Sequence, residues 1–170
     1  RVPAAGFLFR EKAPALNLHK EAIERYGLGI AQCRAAKRGE DVVLESGETI
    51  LNTELTYRPY RERSFAYLSD TLYSHRAAEL VSGVDLMYHE ATFADEDRAL
   101  AKKTGHSTAK QAAQVALTAG AGRLLIGHFS SRYKDLHLLE TEAREIFPNS
   151  EAAIEGKSYE IPCMRKVPQK

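Results

Sequence analysis

Leu124-Leu125-Ile126-Gly127-His128-Phe129-Ser130-Ser131-Arg132-Tyr133 is a short apolar run that breaks into a polar cluster. Such a run reads as a buried strand that delivers side chains to the edge of a sheet. In open α/β sheets, chemistry collects just past the carboxyl ends of the strands. The same design recurs twice upstream. Phe65-Ala66-Tyr67-Leu68 runs into Ser69-Asp70-Thr71, and Val84-Asp85-Leu86-Met87-Tyr88 runs into His89-Glu90-Ala91-Thr92-Phe93. A fourth polar cluster, Thr104-Gly105-His106-Ser107-Thr108, lies between two stretches of helical spacing.

Around these runs the chain alternates. Helices are expected over 75–82, with Ser74 as N-cap, over 95–103, over 108–119 with Ser107 as cap, and over 135–146 up to Pro148. Strands alternating with helices imply helices packed on a sheet. The N-terminal third reads as a strand at 6–9, helices at 16–26 and 30–37, and a hairpin over 41–50. A polar connecting loop follows over 52–63. A closing hairpin is expected from 151–154 and 158–161. The sequence suggests one domain over 1–170, read as part of something longer because the chain opens Arg1-Val2-Pro3 without Met.

Charge does not select a partner. There are 24 Lys and Arg against 23 Asp and Glu, so any basic surface is local. Arg34, Lys37 and Arg38, and Arg58, Arg61 and Arg63, form short basic clusters that read as solvated faces. Cys33 and Cys163 have no metal-like spacing, which fits a reducing cytoplasmic setting. No apolar run reaches the length of a membrane span, and no secretory signal opens the chain. Gly-rich phosphate loops, a G-x-S-x-G elbow and cysteine clusters are all missing.

What remains is Asp and His at strand ends. Imidazole nitrogen and carboxylate oxygen are both zinc ligands, so Asp70 and His128 are candidate metal ligands; the bland reading is a capping Asp and a hydrogen-bonded His. Glu90 and His106 are a candidate acid–base pair, because a carboxylate beside an imidazole fixes its tautomer. His89 reads as structural, and His19, His75 and His137 as surface residues.

Taken in order, Ser69-Asp70-Thr71, His89-Glu90-Ala91-Thr92-Phe93, Gly105-His106-Ser107-Thr108 and His128-Phe129-Ser130-Ser131-Arg132-Tyr133 closely resemble ribonuclease Z, the tRNA 3′-processing endonuclease family. Ile146-Phe147-Pro148-Asn149 and Glu155-Gly156 resemble that family's C-terminal end. The resemblance implies the C-terminal half of an αββα metallo-β-lactamase-type sandwich. The family's main zinc signature, a His-x-His-x-Asp-His loop, does not occur in these residues, and the resemblance assigns it to a part upstream. The family's Gly/Pro-rich tRNA-gripping arm is also not matched over 10–40.

The implied activity is a zinc-dependent endonuclease that removes the 3′ trailer from precursor tRNA and leaves a 3′-hydroxyl. By resemblance, two zinc ions generate the attacking hydroxide, Asp70 bridges them and His128 is a terminal ligand. His106, oriented by Glu90, protonates or stabilises the departing oxygen. Ser107 and Thr108 at a helix start and Arg132 contact RNA. A cytoplasmic homodimer with no membrane partner is expected, and these residues alone are expected to be inactive. Two alternatives remain open at this stage. One is another metallo-β-lactamase-fold phosphodiesterase acting on small phosphodiesters; the other is a non-catalytic scaffold of the same fold.

Overall fold

The computed structural model describes residues 4–165. The sequence suggests one domain, and the chain divides into two compact units. It enters the larger unit as β1 (Gly6–Arg10) and then leaves into the smaller one, Glu11–Glu62, before returning at Arg63.

The smaller unit is built from short pieces. β2 (Asn17–Leu18) pairs antiparallel with β5 (Thr56–Tyr57). Between them lie α1 (Lys20–Tyr26), α2 (Ile30–Lys37), the β3–β4 hairpin (Val42–Val43 with Thr49–Ile50) and α3 (Asn52–Leu55). Gly27 ends α1 in the left-handed conformation, at φ +61. Ala22, Leu28, Ala36, Val42, Ile50 and Leu55 form a small core.

Two sequence expectations fail here. The helix expected from Leu16 begins only at Lys20, because Asn17 and Leu18 are taken into a strand pair. The loop expected over 52–63 contains α3 and β5 instead. Asn52 explains this, since its side-chain amide donates to the Ala36 and Glu40 carbonyls at 2.7 and 3.0 Å while its N–H donates to Asp41 Oδ1 at 2.7 Å. A single polar side chain, invisible to hydrophobic periodicity, anchors that turn.

The larger unit is a five-stranded sheet in the order β1-β6-β7-β8-β9. β6 (Ser64–Leu68) runs antiparallel to β1 and parallel to β7 (Leu86–Glu90). β8 (Leu124–Gly127) and β9 (Ser150–Ala152) continue the parallel run. Helices α4 (His75–Leu80), α5 (Arg98–Thr104), α6 (Ala109–Ala119) and α7 (His137–Ile146) connect the strands. In β6 to β8, Leu68, His89 and Ile126 stand side by side, so the three carboxyl ends come level.

One sheet face is covered by helices. Ala66, Leu68, Met87, Leu124 and Ile126 pack against α6, which turns Ala109, Ala112, Ala113, Ala116 and Ala119 inward. Small side chains at this spacing let the helix lie close to the sheet. Burying each of Met87, Leu124 and Ile126 contributes about 1.5–3 kcal/mol. The other face is aromatic: Phe7, Phe9, Phe65, Tyr67 and Tyr88 are in register across three strands, and Phe7 and Phe9 are more than half exposed. Tyr67 and Tyr88 stack at 4.7 Å.

The expected closing hairpin does not form. Residues 150–152 join the sheet as β9, while Tyr159 folds back so that its hydroxyl donates to the Ala152 carbonyl and accepts from Ile154 N–H. The cap of α6 is also shifted. Thr108, rather than Ser107, is the N-cap and accepts from Gln111 N–H. Among the described residues no helix is long and apolar enough to cross a membrane.

Candidate active site

Glu90 is the last residue of β7 and is fully buried. A buried carboxylate must be matched by donors. Thr71 N–H, Ser107 N–H and His106 Nδ1 approach Oε1 at 3.1, 2.9 and 3.0 Å. Thr92 N–H and the Thr92 hydroxyl approach Oε2 at 3.0 and 2.8 Å. The carboxylate acts as acceptor throughout, so His106 carries its proton on Nδ1 and leaves Nε2 free. The segment holding His106 is brought over Glu90 by a bridge between Phe93 and Thr108, in which Phe93 N–H donates to Ser107 O and Ala109 N–H to Phe93 O.

Asp70 and His128 follow β6 and β8. Both take positive φ, +49 and +58, and they are the two non-glycine residues that do so among the described residues. This conformation costs an L-residue roughly 1–2 kcal/mol, with Asp tolerating it better than most. Strain of this kind clusters at functional sites. His128 Nε2 lies 3.2 Å from Asp70 Oδ1, with both side chains largely exposed. The His106 and His128 rings stack at 5.3 Å.

The donor set suits a metal. Asp70, His106 and His128 each offer a ligand atom, and these lie within 4.8 Å of one another. On a tetrahedral zinc with bonds of about 2.0 Å, neighbouring donor atoms stand roughly 3.3 Å apart. The Asp70–His128 separation matches that edge without rearrangement.

The surrounding residues have other work. His89 is fully buried and donates from Nδ1 to the Glu90 carbonyl at 2.6 Å, while burial holds its pKa below the ordinary histidine value. It is therefore neutral and structural. Tyr88 lies across Gly127, where a Cβ would overlap its ring and hydroxyl. Burial, followed by the neighbouring Tyr67, pushes the Tyr88 phenol up to about 12, so it stays protonated and forms a wall. His75 and His137 are exposed and His19 is half-buried against Tyr57.

Two expected RNA contacts are corrected. Ser107 and Thr108 have no exposed surface. Ser107 Oγ donates to Thr71 O at 2.6 Å and its N–H to Glu90, while Thr108 caps α6. Their amides and hydroxyls are already engaged, which leaves no anion site at this helix start. Arg132 donates to Asp97 Oδ2 at 3.0 Å and sits over the Phe93 ring at 5.2 Å, yet 44% of its side chain stays exposed. The Tyr133 hydroxyl, and then Arg132, hold Asp97 below the usual carboxylate range. Sequence reasoning missed the Asp97 partnership and the bonding role of Thr92, although Thr92 lies in the same run as Glu90.

Comparison with known proteins identifies the family of the chain. A family model described as beta-lactamase superfamily domain matches residues 38–129, more than half of the chain and the stretch that holds Asp70, Glu90, Thr92, His106 and His128. A ribonuclease Z of Porphyromonas gingivalis is 48% identical over 161 residues, which is 95% of this chain and 53% of that protein. The chain thus spans about half the length of the curated relatives it matches. Among solved structures, the metallo-beta-lactamase fold protein YhfI from Bacillus subtilis superposes with a TM-score of 0.54 at 25% identity, covering 58% of this chain and 40% of YhfI. A long form RNase Z from yeast gives 0.50 at 27% identity, covering 56% of this chain and 13% of that one. The chain belongs to the beta-lactamase superfamily, carries a metallo-β-lactamase-type fold, and within that superfamily is similar along nearly its whole length to ribonuclease Z.

Proposed function

We propose that this chain is the C-terminal half of a metallo-β-lactamase-type domain in a zinc-dependent tRNA 3′-endonuclease, one that removes the 3′ trailer from precursor tRNA and leaves a 3′-hydroxyl. The observation that carries this reading is the meeting of two pairs, Asp70 with His128 and Glu90 with His106, in a chain 48% identical to a ribonuclease Z. In this reading Asp70 and His128 would hold the zinc, and the remaining ligands would come from outside these residues. Bound zinc would lower the pKa of water and supply a nucleophile near neutral pH.

The chain's own residues perform the other tasks. Glu90 holds Nδ1 of His106 and turns Nε2 toward the pocket. There, with the ring protonated on both nitrogens, Nε2 can deliver its proton to the departing 3′ oxygen and return to the neutral form that keeps the Nδ1 proton toward Glu90, a general-acid role. The stack of His106 on His128 places its ring beside a residue that would hold the metal. Arg132, with part of its guanidinium exposed beyond Asp97, is the proposed contact to RNA. The full protein is proposed to act as a cytoplasmic homodimer.

The test is cleavage of precursor tRNA by the full-length protein and by its Asp70→Ala and His128→Ala variants. Trailer release that both variants abolish supports the reading. Turnover of small phosphodiesters with no action on precursor tRNA would contradict it.

A further inference from the structure

Thr92 stands between the two pairs. It is 7% exposed, and its hydroxyl oxygen lies 2.8 Å from Glu90 Oε2, 2.9 Å from His128 Nδ1 and 3.3 Å from His106 Nδ1. A hydroxyl has one hydrogen and two lone pairs. Glu90 Oε2 accepts, so the hydrogen goes to it. Toward both histidines the oxygen can then only accept. His106 Nδ1 already points its proton at Glu90 Oε1, at the shorter distance of 3.0 Å, and the Thr92 oxygen takes a longer secondary share. The better lone-pair partner is His128.

We propose that Thr92 is a positioning residue that fixes the tautomer of His128, placing the proton on Nδ1 and keeping Nε2 as the metal-binding nitrogen on the side of Asp70. The proposal rests on the metal-site reading above. With the other tautomer, two lone pairs would face each other at 2.9 Å in a partly buried place, and two polar atoms would lose their bond. One buried carboxylate therefore sets both imidazoles: His106 directly, and His128 through the Thr92 hydroxyl. Partners that hold the second nitrogen of a ligating histidine fix ring orientation, and losing one typically lowers metal affinity by about 10–100-fold.

Ring nitrogen-15 NMR of His128 in the zinc-loaded full-length protein tests this directly. The expected result is a protonated Nδ1 with slowed proton exchange and a zinc-bound Nε2. Thr92→Val should lower zinc affinity about 10–100-fold in chelator competition and expose the Nδ1 proton to fast exchange, while Thr92→Ser should restore both. Zinc bound through Nδ1 in the unmodified protein would overturn the proposal, whatever the variants do. So would a folded Thr92→Val protein with unchanged affinity and unchanged His128 signals. An unmodified protein that binds no zinc, or binds it without perturbing His128, would overturn the metal-site reading itself, and the proposal with it.

Discussion

Glu90 and Asp70 are both carboxylates at the carboxyl ends of neighbouring strands, and the fold treats them in opposite ways. Glu90 is sealed in and accepts from three backbone amides, a hydroxyl and an imidazole. Asp70 is exposed, sits at φ +49, and touches Ser69 Oγ and His128. The first is completed by the chain around it. The second is held in a strained and solvent-facing arrangement with its oxygen at a metal-like distance from an imidazole. On the proposed function, the contrast separates a group that positions others from a group that binds.

The contrast is sharpened first through His106, the residue that Glu90 positions. His106→Ala in the full-length protein should lower kcat on precursor tRNA by about 10²–10⁴, the range for losing a general acid. A loss below tenfold would remove the acid role from this pair. The next largest effect is on stability. Glu90→Ala leaves the amides of Thr71, Thr92 and Ser107 without their acceptor, each at about 1–3 kcal/mol, so chemical denaturation should show a loss of about 3 kcal/mol or more. If the loss is nearer that of an average surface substitution, Glu90 is not the anchor described.

Asp70→Gly should do the reverse. Glycine relieves roughly 1–2 kcal/mol of left-handed strain and adds about 0.5–1 kcal/mol of unfolded-state entropy. Metal-free stability should hold level or rise slightly while zinc binding is lost. A clear drop in stability would make Asp70 a structural residue like Glu90. The smallest effect concerns the rim: Arg132→Ala should raise KM for precursor tRNA several-fold with zinc content unchanged. Unchanged kinetics with a lower melting temperature would leave Arg132 as a brace for the loop that carries Asp97.

The strand ends were legible because each apolar run stops abruptly in polar residues, and β6, β7 and β8 fall where those runs lie. Asp70, Glu90 and His128 could therefore be placed at one edge from sequence. Their partners could not. Glu90 and His106 are 16 residues apart with no period to connect them, and the Phe93–Thr108 bridge, with the Ser107 contacts to Glu90 and Thr71, brings them together. Ser107 and Thr108 were misread for a related reason. Ser and Thr next to a helix start look like exposed anion ligands, and only burial reveals that one bonds Thr71 and the other caps α6. The 158–161 strand does not form, and the Tyr159 hydroxyl bonds locally to Ala152 and Ile154 instead, a side-chain contact that alternation does not signal.

The division between binding and positioning is tested most directly by the zinc content of three full-length variants, Asp70→Ala, His128→Ala and His106→Ala, measured by elemental analysis beside the unmodified protein. Asp70→Ala and His128→Ala should each lose bound zinc, and His106→Ala should retain it while losing turnover. Zinc lost equally from all three would make His106 a ligand rather than an acid. Zinc retained by Asp70→Ala and His128→Ala would remove the exposed, strained pair from the metal site.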